Sequence, residues 1–286
     1  MRVNADPERF GFVVLHYLAA KETMQCVDSI RCNCPGCPIV IVDNASHNGS
    51  FETVVRSYEH IDNVYLLSND RNYGFAMGNN VGYHYCRQTL DCGYIAICNN
   101  DLIVNDADFV EKCRLDYETY RCGVIGPSIV SLRDGHEQNP AVGLLSSRRQ
   151  VVKRILRYRC ELLLTYLCWG HKQNQEVNSI NVDANHNAGH VRTIDKLHGA
   201  CLVFTPPFIE HFDDAFDPRT FLYVEEDILA IRCLRAGLSM LFDPRIRVSH
   251  EEDVSTEQMM DNGIKKKRFV LRENIKSLHI LNQYFK

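Results

Sequence analysis

The sequence has no long apolar run and no strong excess of charge of either sign. No segment approaches the roughly 20 uninterrupted apolar residues that a membrane-spanning helix needs, and the formal net charge over 286 residues is only −4. These absences argue against a membrane-spanning chain and against a protein that is basic throughout and coats nucleic acid. The first ten residues, MRVNADPERF, are polar and contain a proline, so we expect no signal peptide and a cytoplasmic protein.

Two glycine-rich phosphate-binding motifs are also absent. A dinucleotide fingerprint needs G-x-G-x-x-G directly after the first strand, whereas Gly74, Gly78 and Gly82 are four residues apart and follow the third predicted strand. The Walker pattern G-x-x-x-x-G-K-[ST] does not occur. The sequence therefore supports neither dinucleotide chemistry nor P-loop chemistry.

Cysteine, in contrast, is abundant, with 13 residues. Without a secretion signal this number indicates reduced thiols in a cytoplasm, and an odd count forbids complete internal pairing. Four of them, Cys26, Cys32, Cys34 and Cys37, are spaced C-x5-C-x-C-x2-C, which is not a common zinc pattern. Because Cys26 also falls on a helical apolar stripe, we favour free thiols over a metal cluster.

Short apolar runs alternate with amphipathic helical patterns over the first 130 residues. The predicted strands are 10–15, 38–43, 63–67 and 94–98. Strands of this length separated by helices predict an α/β fold with a mostly parallel sheet covered by helices on both faces. Further along the chain the patterns predict a strand at 196–204, a helix at 225–238 and a final helix at 268–285. The segments SMLFDP and IRVSH lie between these two helices and lead to a charged stretch.

Acidic and amide residues follow three of these strands at the point where each strand ends. Asp43 and Asn44 follow the second strand, Asn72 follows the third, and Asn99 and Asp101 follow the fourth. Such residues commonly make turns and cap helices, but three in succession favour a binding site, since ligands of open α/β sheets bind at the carboxyl edge. Oxygen ligands of this kind suit Mg²⁺ or Mn²⁺ holding a diphosphate.

Five segments resemble, in order, the motifs of the family 2 glycosyltransferases, which are inverting enzymes of the GT-A fold that use nucleotide-sugar donors. The segments are VVLHY…IVIVDNASHNGS, NYGFAMGNNVG, CNNDLIV, LHGACLVF and FLYVEEDILAIRCLRAG. The second is similar to a segment of the rhamnosyltransferase-like branch. The resemblance covers nearly the whole chain outside roughly 131–190.

The resemblance implies one GT-A domain over 1–286. Its nucleotide-sugar-binding half would span about 1–105 and its acceptor-binding half about 106–286, with a helical insertion at about 131–195. The implied function is transfer of a sugar from a dTDP-rhamnose or UDP-hexose type of donor to a glycan or lipid-linked acceptor in bacterial cell-surface polysaccharide synthesis.

The sequence leaves two alternatives to a glycosyltransferase. A sugar nucleotidyltransferase usually has a glycine-rich loop after its first strand, and the corresponding HYLAAKE contains no glycine. A non-catalytic carbohydrate- or partner-binding protein of the same fold is the second alternative, and intact Asp43, Asp101 and Asp227 argue against it.

The resemblance also assigns roles at matching positions. Asp227 would be the base that takes the acceptor hydroxyl's proton, although an acid at this place could simply stabilise a helix N-terminus. Asp101 and His250 would bind the cation, Mg²⁺ or Mn²⁺. The donor contacts would come from Tyr17, Asp43, Asn44, Asn72, Asn99, His198 and Gly199. Asn99 stands where many members have an acid, so Asp101 supplies the only charge there.

The segment 148–172 is basic and amphipathic, with seven Lys and Arg residues against a single Glu161 and with Trp169 near its end. This pattern predicts contact with the inner face of the cytoplasmic membrane, where the KKKR sequence at 265–268 would add to the attraction. The alternative is a helix that packs on the domain itself or on a second subunit of a homodimer. We expect no nucleic-acid partner.

Overall fold

The computed structural model describes residues 6–167, 190–251 and 263–286. Within these ranges the centre of the molecule is a nine-stranded sheet. Its strands are β1 (Asp6–His16), β2 (Ile39–Asp43), β3 (Val64–Ser68), β4 (Cys92–Asn99), β5 (Leu102–Val104), β6 (Val124–Ser131), β7 (Arg192–Ile194), β8 (Cys201–Phe204) and β9 (Met240–His250). The helices are α1 (Ala20–Asn33), α2 (Ser50–Tyr58), α3 (Gly74–Gln88), α4 (Phe109–Tyr120), α5 (Arg148–Leu167), α6 (Pro206–His211), α7 (Glu225–Ala236) and α8 (Gly263–Gln283).

The strand order is β3-β2-β1-β4-β8-β6-β9-β5, with β7 paired to β9. The first four strands of this order are parallel, as the alternation of strands and helices predicts. The sheet then becomes mixed, because β8 runs antiparallel to both β4 and β6, while β6 and β9 are parallel. The predicted α/β architecture, a mostly parallel sheet flanked by helices, is therefore confirmed. The antiparallel strand pairs all lie in the second half of the strand order, from β4 onward.

Alternate residues of the central strands enter two separate hydrophobic cores, one on each face of the sheet. Phe12 of β1 packs in one core with Ile30 of α1, and its neighbour Val13 packs in the other with Tyr83 of α3. Because successive side chains of a strand point to opposite faces, strands buried on both sides read as unbroken apolar runs. This explains why the sequence signal of β1, β2 and β4 is so clear.

The glycines of α3 bring this helix close to the sheet. A Cβ on Gly82 would lie 2.3 Å from Val13 Cγ1, and one on Gly78 would lie 2.7 Å from Leu15 Cδ1. Residues four apart share one face of a helix, so the spacing that excludes a dinucleotide fingerprint serves helix–sheet packing here.

Two sequence-based boundaries need correction. The predicted insertion at 131–195 contains the expected helix, α5, but its last residues form β7, a three-residue edge strand that is too short to show an alternating pattern. The strand predicted at 196–204 is limited to β8, since residues 196–200 form a loop. The segments SMLFDP and IRVSH, which were assigned no secondary structure from the sequence, belong apart from Ser239 to the single strand β9. Residues 168–189, and with them the end of the predicted basic segment, lie outside the described residues.

Every cysteine that the structure describes is a free thiol. Cys26 and Cys34 are buried whereas Cys32 is exposed, so these thiols lie in different environments. Among the described residues no group of three or more His, Cys, Asp or Glu side chains is placed to hold a metal ion. In the same ranges no helix combines the length and the apolar character needed to cross a bilayer.

Candidate functional site

A cavity of about 560 Å³ opens at the carboxyl edge of the parallel strands. It is bordered by the ends of β1, β4 and β9, the first turns of α3 and α7, and the loop before β8. Nine of the ten positions predicted from the sequence line it: Tyr17, Asn44, Asn72, Asn99, Asp101, His198, Gly199, Asp227 and His250. Asp43 is the exception.

Asp101 and His250 meet because the chain changes direction after β4. β4 ends at Asn99, and β5 then pairs antiparallel with β9 so that Leu102 lies opposite His250. This register places the Nε2 atom of His250 3.0 Å from Oδ1 of Asp101, and both side chains are buried. Asn99 and Asn100, which interrupt the apolar sequence, therefore lie at the turn that places Asp101 next to the end of β9.

The Asp101–His250 pair fits a divalent cation. The other ring nitrogen of His250, Nδ1, lies 2.9 Å from the side-chain oxygen of Gln138. Without a cation, the contact between Nε2 and Asp101 is a hydrogen bond donated by the ring. A neutral imidazole has a single N–H, so with a cation bound that N–H would be on Nδ1, donating to Gln138, and the Nε2 lone pair would be available to the cation. Adjacent ligands of an octahedral Mg²⁺ are about 3 Å apart, which matches the separation of Nε2 and Oδ1. With two protein ligands, the remaining positions would belong to phosphate oxygens and water.

Asp227 lies in the first turn of α7 with both carboxylate oxygens engaged. Oδ1 accepts the backbone N–H of Leu145 at 2.8 Å, and Oδ2 lies 3.0 Å from Nζ of Lys196. The side chains of Lys196 and Asp227 are only 13% and 10% exposed. Sequence reasoning missed Lys196, although this residue directly precedes the LHGACLVF segment.

The other two carboxylates of this turn have contrasting environments. Glu225 is buried, and desolvation together with the charge of Glu226 raises its pKa to about 8. Its Oε1 atom has no hydrogen-bond partner among the described residues. Glu226 is only partly buried, and its Oε1 lies 2.7 Å from the position that a Cβ on Gly199 would take. Gly199 therefore leaves the space that the Glu226 carboxylate uses beside the cavity.

Two strained residues precede this turn. Tyr223 and Val224 both adopt φ values of +70°, a left-handed conformation that is uncommon for residues other than glycine and most unfavourable for a β-branched one. Both also line the cavity. The backbone thus takes a costly turn that directs the three acids of α7 toward the cavity.

Asn44 and Asn72 form a bonded unit at the entrance of α3. The amide of Asn44 donates to Asn72 Oδ1 at 2.9 Å and to the carbonyl oxygen of Gly74 at 3.1 Å. Asn44 Oδ1 in turn accepts the N–H of Tyr73 at 2.9 Å. These residues hold the end of β2 against the first turn of α3 and shape this wall of the cavity.

Asp43 organises the turn after β2 and lies away from the cavity lining. Its carboxylate oxygens accept the N–H of Ser46 at 3.1 and 3.2 Å. The neighbouring strand places His16 opposite Asp43, with its ring nitrogens 2.7 Å from Thr23 Oγ1 and 2.9 Å from Ser50 Oγ. Burial lowers the pKa of His16 to about 4, so this ring is neutral at neutral pH.

Two helices from outside the motifs complete the cavity. Arg154 and Tyr158 come from α5, and Asn274 and Leu278 come from α8. Sequence reasoning described α5 by its exposed basic character and did not assign it to the site. Its inward positions carry no local motif, and only the packing of α5 against α8 brings them to the cavity.

Solved structures with a similar fold include the following two. GalNAc-T7 with UDP, GalNAc and Mn²⁺ matches 85% of this chain and 44% of that one, at a TM-score of 0.58 and 13% identity. S. aureus TarS 1–349 in complex with UDP matches 92% of this chain and 65% of that one, at a TM-score of 0.54 and 12% identity. At these identities the likeness shows the fold alone, an α/β architecture of the GT-A type, as predicted from the sequence. The chain spans about half to two thirds of the length of these proteins.

The family of this chain follows from a match to a family model. No curated protein matches the sequence. The model of Glycosyl transferase family 2 matches residues 12–173, which is more than half of the chain. This span includes the strands and turns that carry Tyr17, Asn72 and Asp101, and the chain belongs to glycosyl transferase family 2.

Proposed function

We propose that the chain is an inverting glycosyltransferase that moves a sugar from a nucleotide-diphosphate donor to a hydroxyl group of a glycan or lipid-linked acceptor. Family membership supports the reaction class, and the two related folds solved with UDP support a donor of the UDP type. The observation that carries the proposal is the shared cavity, in which Asp101 and His250 lie together with the carboxylates at the start of α7.

The donor side of the proposal rests on Asp101 and His250. These two side chains would hold Mg²⁺ or Mn²⁺, and the cation when bound would neutralise the departing nucleoside diphosphate. Asn99 lines the same cavity and offers a neutral amide. The loop residues His198 and Gly199 lie beside this pair, with the centre of the His198 ring 6.1 Å from that of His250. The backbone N–H of Ala200 donates to His198 Nδ1 at 3.2 Å and fixes the ring.

The acceptor side rests on Asp227. In a direct displacement the acceptor oxygen attacks the anomeric carbon while a base takes its proton. Each carboxylate oxygen can accept two hydrogen bonds, so the contacts to Leu145 and Lys196 leave capacity for the acceptor hydroxyl. Those contacts orient the carboxylate before the acceptor arrives. Glu226 is the second candidate, because its carboxylate reaches Gly199 at the edge of the cavity.

The sugar and the pathway follow from the sequence resemblance. NYGFAMGNNVG is similar to a segment of the rhamnosyltransferase-like branch, so we propose dTDP-rhamnose or a UDP-hexose as donor and bacterial cell-surface polysaccharide synthesis as the pathway. In the structure this segment forms the entrance of α3, where Asn72 and Gly74 line the cavity.

A thermal-shift screen of nucleoside diphosphates and nucleotide sugars, with and without Mg²⁺ or Mn²⁺, tests the donor site. A ligand at 100 times its Kd stabilises a protein by about 2.7 kcal/mol. We expect this stabilisation to require a divalent cation and to be lost in Asp101→Ala but kept in Asp62→Ala, an exposed control. Stabilisation that persists without cation would contradict the metal site, and its absence under all conditions would contradict the donor site.

Slow hydrolysis of a nucleotide sugar in the absence of acceptor separates an enzyme from a binding protein of the same fold. We expect the purified chain to release the nucleoside diphosphate with a cation present. Binding of the nucleotide sugar without any release of diphosphate would favour the non-catalytic alternative.

A further inference from the structure

The outer face of α5 carries an apolar stripe that the fold leaves exposed. The stripe, called the α5 stripe below, consists of Val152, Leu156, Leu163 and Leu167, which are 39, 56, 62 and 79% exposed. At 100° per residue these four positions lie within about 60° of one another around the helix axis. Val151 and Ile155, on the inner side of the helix, are buried and supply its packing. The α5 stripe is therefore additional to the apolar face that α5 needs for folding.

Basic side chains border the α5 stripe. They are Arg148, Arg149, Lys153, Arg157 and Arg159, and all five are exposed. The only acid on α5, Glu161, is 3.2 Å from Arg157. Arg268 of α8 donates to Thr165 at 3.1 Å, which brings the exposed Lys265 and Lys267 to the far end of the stripe. In a chain with a net charge of −4, this is a local concentration of positive charge.

The same helix forms part of the cavity wall on its inner side. Arg154 and Tyr158 line the cavity, and Leu145, just before α5, donates its N–H to Asp227. A helix with its side chains is about 10 Å across. A surface that contacts the α5 stripe would therefore lie about one helix diameter from the site of transfer.

We propose that the α5 stripe docks on a lipid bilayer with anionic headgroups and so places the cavity beside a lipid-linked acceptor. Leucines that enter the headgroup region, flanked by cations that meet anionic lipids, are the arrangement by which helices lie in a membrane surface. A second copy of the chain fits less well, because a symmetric contact through the stripe would bring its cationic borders together. The identity of the acceptor rests on the proposed function, whereas binding to the bilayer does not.

Vesicle flotation of the full chain tests this docking surface. Phosphatidylcholine vesicles are compared with vesicles that also contain phosphatidylglycerol, at low and at high salt and without any donor. We expect binding to the anionic vesicles only, and we expect salt to weaken it. The double variant Leu156→Glu/Leu163→Glu should bind at least about tenfold more weakly, and each of Arg149→Gln and Lys153→Gln should lower the affinity about fivefold. Leu115→Glu, which changes a leucine 52% exposed on α4, should bind as the unchanged chain does.

Three outcomes would overturn the proposal. They are equal binding to both kinds of vesicle, binding to neither, and a dimer in sedimentation velocity that Leu163→Glu dissociates. Nucleoside-diphosphate binding by each variant is measured in parallel and should be unchanged, which shows that the variants fold. A chain that binds anionic vesicles but no nucleotide would contradict the proposed function while supporting the docking surface.

Discussion

Nζ of Lys196 lies 3.0 Å from Oδ2 of Asp227, and this ion pair holds the carboxylate that we propose as the catalytic base. The N–H of Leu145 holds the other oxygen at 2.8 Å. Lys196 belongs to the loop before β8 and Leu145 to the segment before α5, so two parts of the chain far apart in sequence orient one side chain of α7. The fold thereby fixes the direction of Asp227 before any substrate binds.

Replacing Asp227 with Asn tests its role as base. The amide can still accept the N–H of Leu145 but cannot take a proton, so we expect transfer to fall by about 10²- to 10⁴-fold with nucleoside-diphosphate affinity unchanged. The measurement is the transfer rate at saturating donor. Glu226→Gln is the matched comparison on the same helical turn and should retain most of the activity. A larger loss in Glu226→Gln than in Asp227→Asn would assign the base to Glu226.

Replacing Lys196 with Met tests the ion pair itself. The change leaves the charge of Asp227 without its cation in a largely buried place, so we expect the free energy of unfolding to fall by about 3 kcal/mol. In the Asp227→Asn background the same replacement should cost much less, because no buried charge remains. Urea denaturation of the two single variants and the double variant measures this coupling. Equal losses in both backgrounds would show that the two side chains act independently.

We expect the free energy of unfolding to depend on pH through the ionisation of Glu225. Burial raises the pKa of its carboxyl from 4.5 to about 8 in the folded chain, so the folded state binds this proton more tightly than the unfolded state. The resulting stabilisation is complete below about pH 4.5 and is lost as the pH rises through about 8. The Glu225→Gln variant has no carboxyl proton to lose at this position. Its free energy of unfolding should therefore fall less between about pH 4.5 and 8 than that of the unchanged chain, by on the order of a few kcal/mol.

Urea denaturation at a series of pH values checks this expectation. Glu111→Gln is the control, since Glu111 also lies in the first turn of a helix, α4, but is exposed. Its profile should match that of the unchanged chain. An equally steep profile in Glu225→Gln would mean that another group causes the pH dependence.

The sequence predicted those parts of the fold and of the cavity that leave a pattern within one short segment, such as an apolar strand followed by polar residues. The apolar runs of β1, β2 and β4 are visible because both faces of these strands are buried, and the polar residues at their ends follow from the geometry of parallel strands. The position of Asp101 at the cavity could thus be predicted from sequence. The hydrogen bonds of Asp43 to Ser46 could not, because its position at a strand end looks the same whether it faces a ligand or caps a turn.

Features made by distant segments were not predictable. Nothing near Lys196 in the sequence indicates an ion pair with Asp227, 31 residues later, because a loop without periodicity carries no signal of its direction. Arg154 and Tyr158 were missed for a related reason. The basic, exposed face is the most visible feature of the α5 sequence. The inward face lines the cavity only because α5 packs against α8, a helix more than 90 residues later in the chain.

Replacing Gly82 with Ala tests the close packing of α3 on the sheet. A Cβ there would lie 2.3 Å from Val13 Cγ1 and 3.1 Å from Val42 Cγ2, and both valines are buried with few alternative rotamers. Overpacking costs about 1–3 kcal/mol, against about 1 kcal/mol gained in helix propensity, so we expect a net loss of up to about 2 kcal/mol in urea denaturation. Gly263→Ala is the control, because a Cβ at the start of α8 meets nothing within 4 Å and should leave stability unchanged or slightly raised. A stabilised Gly82→Ala variant would show that α3 can move outward from β1, and that the wall of the cavity formed by Asn72 and Gly74 is less rigid than the packing indicates.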